Sequence, residues 1–155
     1  MEQFLQQNGP LPPANPGAGI HPMTNEELQT LLSAMLESGE GVSDCLFVVG
    51  KPPLIERYGK LYELPMDAAS AILRPGHTQA IADLLMNRSP RLISDLAESG
   101  SCDTSYAIEG VARFRVNIYR QSGHVGLVMR KLQSSIPTIA DLGLPEIFNQ
   151  ITREK

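Results

Sequence analysis

The sequence predicts an α+β domain, an antiparallel sheet of about six strands with helices on one face, and three observations carry that prediction. Apolar residues recur at helical spacing near the start of the patterned region and again in its middle. Around those stretches the pattern shortens to strand-like runs, several alternating with a period of two. Tight, glycine-containing turns join neighbouring runs, which pairs them antiparallel.

The elements follow in order. From Asn8 to Pro22 the chain reads NGPLPPANPGAGIHP, a Pro, Gly and Asn run that buries no apolar area and predicts a mobile leader over residues 1–23. Thr24 and Glu27 have the spacing of a capping box. Leu28, Leu31, Leu32 and Met35 follow on one helical stripe, and Gly39 offers a stop. Cys45 to Val49 is an apolar run consistent with a buried strand, broken by Gly50-Lys51-Pro52-Pro53. Leu54 to Arg57 and Leu61 to Leu64 flank Tyr58-Gly59-Lys60 and read as a hairpin. Ile81, Leu84 and Leu85 return to helical spacing from His77 to Met86, and Leu92, Ile93 and Leu96 mark a second short helix from Arg91 to Glu98. Three strands complete the set, Cys102 to Ile108, Val111 to Arg120 and Val125 to Leu132, joined at Glu109-Gly110 and Ser122-Gly123. The folding region therefore spans residues 24–133. Residues 134–155 hold Pro137, Gly143 and Pro145 before a helical fragment from Glu146 to Ile151 with few apolar anchors, and read as a connector.

Composition narrows the function. Hydrophobic residues make up 42% and charged residues 19% of the 155, the balance of a soluble globular chain rather than a disordered or membrane-embedded one. With a formal net charge of -4 and a pI near 5.3, no overall basic field exists, so nucleic acid is not an expected partner and any anion site must be local. No signal-peptide pattern opens the chain and no stretch approaches the ~20 apolar residues of a membrane span, so direct membrane insertion is not expected and a cytoplasmic location is. Cys45 and Cys102 lie far apart with no zinc-type spacing. Two reduced thiols are expected rather than a disulfide.

The most informative stretch is Val111 to Arg120. Ala112, Phe114, Val116 and Ile118 alternate with Arg113, Arg115, Asn117 and Tyr119, an apolar face against a polar one. If Ser122-Gly123 is a two-residue turn, the register pairs Val116 with Met129 and Ile118 with Leu127, and sets Arg115 opposite Arg130. Facing cations repel by a few tenths to about 1 kcal/mol, so the pair needs a reason. Three remain open: a bound anion, neutralising Asp or Glu on a neighbouring strand, or plain solvation. Removing either of two mutually repelling surface charges is expected to cost folding little.

Nothing else supports catalysis. His21, His77 and His124 are scattered as surface histidines, which leaves no metal site and no triad. Asp44 and Asp103 are expected to cap turns at the starts of strands. No Gly-x-x-x-x-Gly-Lys-Ser/Thr loop occurs in these residues, so the chain alone is not expected to be an enzyme or to bind a cofactor.

These segments resemble, in order, the amino-terminal domain of the PilT family of pilus and secretion ATPases. The first matching block is GVSDCLFVVGKPPLIERYGKLYELP. The second, CDTSYAIEGVARFRVNIYRQSG, contains the most specific string, GVARFRVN, and GLVMRKLQSSIPTIADLGLPEIFNQI is similar to the family's last strand and interdomain linker. One departure is that Cys45 stands after Asp44 where the family pattern continues toward a histidine, so no imidazole role is carried over.

The resemblance implies a PAS-like fold followed by a RecA-like ATPase domain, assembled as a homohexamer. It also implies that Arg115 and Arg130 reach the phosphates of ATP, bound with Mg by that motor domain. The function so implied is a regulatory, oligomerising and nucleotide-sensing domain of a type IV pilus retraction (twitching motility) ATPase. Its partners would be its own motor domain, neighbouring subunits and the pilus platform machinery, at the cytoplasmic side of the inner membrane. The alternatives are the equivalent domain of a pilus-assembly or type II secretion ATPase, or a stand-alone PAS-like ligand sensor.

Overall fold

The computed structural model describes residues 23–65, 72–133, 138–145 and 147–151, the side chains of Asn149 and Gln150 excepted. The leader, and with it the expectation of its mobility, lies outside the described residues, apart from Met23.

Helix α1 (Asn25–Glu37) starts where the capping box places it. The Thr24 hydroxyl accepts from the Glu27 amide at 3.2 Å, and the Glu27 carboxylate accepts from the Thr24 amide at 2.8 Å. Two otherwise orphaned donors are thereby satisfied. Its inward stripe is Leu28, Leu32 and Met35, all fully buried. Helices α2 (Pro75–Met86) and α3 (Pro90–Glu98) each begin on proline, whose fixed φ suits the first helical position and whose missing N–H costs nothing there.

Six strands form one antiparallel sheet: β1 (Val42–Phe47), β2 (Leu54–Arg57), β3 (Lys60–Glu63), β4 (Ser101–Ile108), β5 (Ala112–Gln121) and β6 (His124–Leu132). Their order is β3-β2-β1-β6-β5-β4. The fold is thus the expected α+β arrangement. Helix α1 packs on β1, α2 on β6 and β4, and α3 on β4 and β5. Between helices and sheet lie Cys45, Phe47, Ile55, Phe114, Val116, Ile118, Leu127 and Met129, each 2% exposed or less.

Strand β1 differs from its expected span. It takes in Ser43 and Asp44 and stops before Val48, because polar residues can pair in a ladder that an apolar-run criterion does not detect. Beyond it the chain turns at Gly50, whose amide donates to the Leu73 carbonyl at 2.9 Å. The Tyr58-Gly59 and Ser122-Gly123 turns both have positive φ at each residue (49° and 75°, 51° and 80°), the two-residue geometry that continues strand twist. Lys60, expected in the first turn, instead pairs with Arg57. After Leu132 the described residues include helix α4 (Ile147–Ile151). Leu142, Leu144, Ile147, Phe148 and Ile151 are all exposed.

Candidate anion-binding site

The turn at Ser122-Gly123 fixes the β5–β6 register, which pairs Val116 with Met129, Ile118 with Leu127 and Arg115 with Arg130, as the sequence predicts. The apolar pairs face the helices. The arginine pair therefore stands on the opposite face of the sheet, which none of α1, α2 and α3 covers.

The pairings extend this into one row across five strands: Ser105, Arg115, Arg130, Asp44 and Glu56 on β4, β5, β6, β1 and β2. Two cations sit beside two anions. Arg130 Nε donates to Asp44 Oδ1 at 2.9 Å, with the Asp44 side chain 3% exposed and that of Arg130 67% exposed. On the other side, Arg115 Nε lies 3.7 Å from Asp103 Oδ1, and both side chains stand mostly in water. Asp103 Oδ1 is also approached by Asn117 Nδ2 at 3.5 Å. Carboxylates on the outer neighbours of β5 and β6 thus offset both cations, the second of the three explanations left open above.

That pairing does not exhaust the guanidiniums. Only Nε of each arginine is engaged, and no terminal amino group of either hydrogen-bonds another described residue. Two exposed forks side by side, their terminal amino groups without an acceptor among the described residues, are a donor set suited to phosphate oxygens.

Asp44 corrects the sequence reading. It is not a turn cap but the third residue of β1, buried and paired with Arg130. Asp103 is likewise the third residue of β4. The expectation that replacing Arg130 costs folding little is revised too, because its removal would strand a buried carboxylate. The histidines stay apart. His77 Nδ1 accepts from the Arg74 amide at 3.3 Å at the start of α2, His124 pairs with Gln121 at a hairpin end, and His21 lies outside the described residues. Among the described residues no group of three or more His, Cys, Asp or Glu could hold a metal ion. Nor is any described helix long and apolar enough to cross a membrane.

No protein-family model matches the chain. Over 129 residues it is 33% identical to the type IV pilus ATPase PilU of Pseudomonas aeruginosa, a match covering 83% of this chain and 32% of PilU. Over 113 residues it is 31% identical to the type IV pilus retraction ATPase PilT of the same organism, covering 73% and 31%. The crystal structure of the pilus retraction motor PilT with bound ADP superposes with a TM-score of 0.68 at 31% identity, over 81% of this chain and 34% of that one. The chain belongs to the family of PilT and PilU. It spans about a third of the length of the curated relatives it matches. The Yersinia pseudotuberculosis ATPase DotB, 23% identical with a TM-score of 0.60 over 83% of this chain and 36% of its own, shares the fold.

Within this PilT-type domain both cysteines are free and buried. Burial, reinforced by the neighbouring Asp44 charge and opposed by Lys131, pushes the Cys45 thiol up to about 12. A thiol so held is an inert core group rather than a nucleophile.

Proposed function

We propose that the chain is the regulatory, oligomerising and nucleotide-sensing domain of a hexameric type IV pilus retraction ATPase. On this reading Arg115 and Arg130 reach the phosphates of ATP held by a motor domain that follows. The observation that carries the reading is the facing pair itself, two exposed guanidiniums in register on the face of the sheet opposite α1, α2 and α3. The relatedness to PilU and PilT, both described as pilus ATPases, supports it.

The donor set fits the role. Guanidiniums offer only N–H donors, so they suit the phosphate oxygens, while a magnesium ion needs oxygen ligands that would come from the motor domain. Held rigidly near a transferring phosphoryl group, such cations offset charge that builds on its oxygens. The chain alone would hydrolyse nothing. The exposed apolar residues from Leu142 to Ile151 favour a domain docked against further protein over a stand-alone sensor. Its partners would be its motor domain, neighbouring subunits and the pilus platform, on the cytoplasmic side of the inner membrane.

The test is ATP turnover by the complete protein. Arg115→Ala is expected to lower it by ~10³ to 10⁵, the range for arginine fingers, with thermal stability held. Lysine at 115 should restore only part, since a point charge cannot make the two-pronged contact. Near-normal turnover by Arg115→Ala in assembled protein would return the pair to a surface-charge role.

A further inference from the structure

We infer that Asp44 is a positioning residue for Arg130: its buried carboxylate holds the guanidinium by Nε, so that the terminal amino groups stand ready for a phosphate. This rests on the reading above and assigns work to a residue on a different strand.

The geometry is directional. A carboxylate and a guanidinium commonly meet as two forks, with two parallel hydrogen bonds that occupy the charged groups of both. Here one bond is formed, from Arg130 Nε to Asp44 Oδ1 at 2.9 Å, and it engages the root of the fork rather than its tips. The carboxylate is the immobile member. Its side chain is 3% exposed, on a central strand paired on both edges, while the arginine is 67% exposed. A long, flexible side chain is therefore tethered at its next-to-last group to a fixed point, which removes much of the rotamer freedom that a phosphate contact would otherwise have to overcome. Arg115 lacks such a tether, because Asp103 is itself more than half exposed and its oxygen lies 3.7 Å away.

A merely electrostatic role for Asp44 predicts the opposite sign. A negative charge beside a phosphate site weakens anion binding, so neutralising it should help; a positioning role predicts that neutralising it harms. Glu56 supplies the control. It is the cross-strand partner of Asp44 on β2 and forms no ion pair among the described residues.

The experiment is ATP turnover and KM in the complete protein for Asp44→Asn, Arg130→Gln, the double variant and Glu56→Gln, with each variant's melting temperature recorded. Asp44→Asn is expected to lower kcat on the order of 10²-fold, the penalty of a misplaced catalytic contact. The double variant should be no worse than Arg130→Gln alone, because both changes remove one contact. Glu56→Gln should leave kcat unchanged or slightly raised. If Asn at 44 compromises folding, Asp44→Glu carries the same test, since it keeps the charge but displaces the carboxylate by a methylene. Unchanged or raised kcat in Asp44→Asn beside a large loss in Arg130→Gln would overturn the positioning role and leave the phosphate reading intact. Fully additive losses would do the same. No loss in Arg130→Gln would overturn both.

Discussion

The centre and the edge of the sheet carry the same chemistry in different surroundings. Where β1 meets β6, Arg130 is held at 2.9 Å by a carboxylate that water scarcely reaches. Where β4 flanks β5, Arg115 lies 3.7 Å from a carboxylate that water largely surrounds. Strand position accounts for the difference. Strand β1 is paired on both sides, with β2 and β6, whereas β4 is an edge strand, paired among the described residues with β5 alone. A buried carboxylate is costly unless paired, so the central contact is enforced, while an exposed pair is worth ~0 to 1 kcal/mol and stays loose. The two arginines thus make a fixed fork beside an adaptable one.

The comparison breaks most sharply if function does not follow geometry, and the turnover losses expected for Arg115→Ala and Arg130→Gln are the largest effects. Stability should then separate the two sites. Arg130→Ala strands the Asp44 carboxylate and is expected to destabilise the folded chain by about 1–3 kcal/mol in urea unfolding. The 3–5 kcal/mol typical of a fully buried pair is too high here because Arg130 is 67% exposed. Arg115→Ala should fall within about 0.5 kcal/mol of the parent chain, as exposed sites do. Equal costs at the two positions would show that strand position does not govern the pairs.

Smaller effects sharpen the same contrast. Cys45 lies on central β1 at 0% exposure and Cys102 on edge β4 at 4%. Alkylation of native protein at pH 8 should be slow at both and faster at Cys102, since edges open locally at lower free energy than centres. Mass spectrometry of the labelled chain checks the order. The folded Cys45 thiol keeps its proton to about 12, above its ordinary value of 9.0. Its contribution to stability is therefore full below pH 9.0 and declines as pH rises toward 12. The gap in stability between the parent chain and Cys45→Ala should shrink over that window.

Local features were legible in the residues. Thr24 and Glu27 announced the start of α1, and Ser122-Gly123 announced a turn whose two-residue length dictates every pairing between β5 and β6. Because side chains alternate with a period of two, that register also determined that Arg115 and Arg130 share a face and that Val116 and Met129 share the other. The sequence by itself therefore specified the fold class, the hairpins and the facing cations.

What it could not specify is which strand lies beside β6. Asp44 and Arg130 are 86 positions apart, and no turn links β1 to β6. Their adjacency results from both strands burying apolar faces, Cys45 and Phe47 beside Met129 and Leu127, in one helical layer, with α1 over β1 and α2 over β6. Hydrophobic burial is non-directional, so it drives the association without naming a partner in advance; the choice is made only when the whole sheet packs. Tertiary structure alone thus turned an aspartate read as a turn cap into the buried tether of one arginine, and left the other with a partner it barely holds.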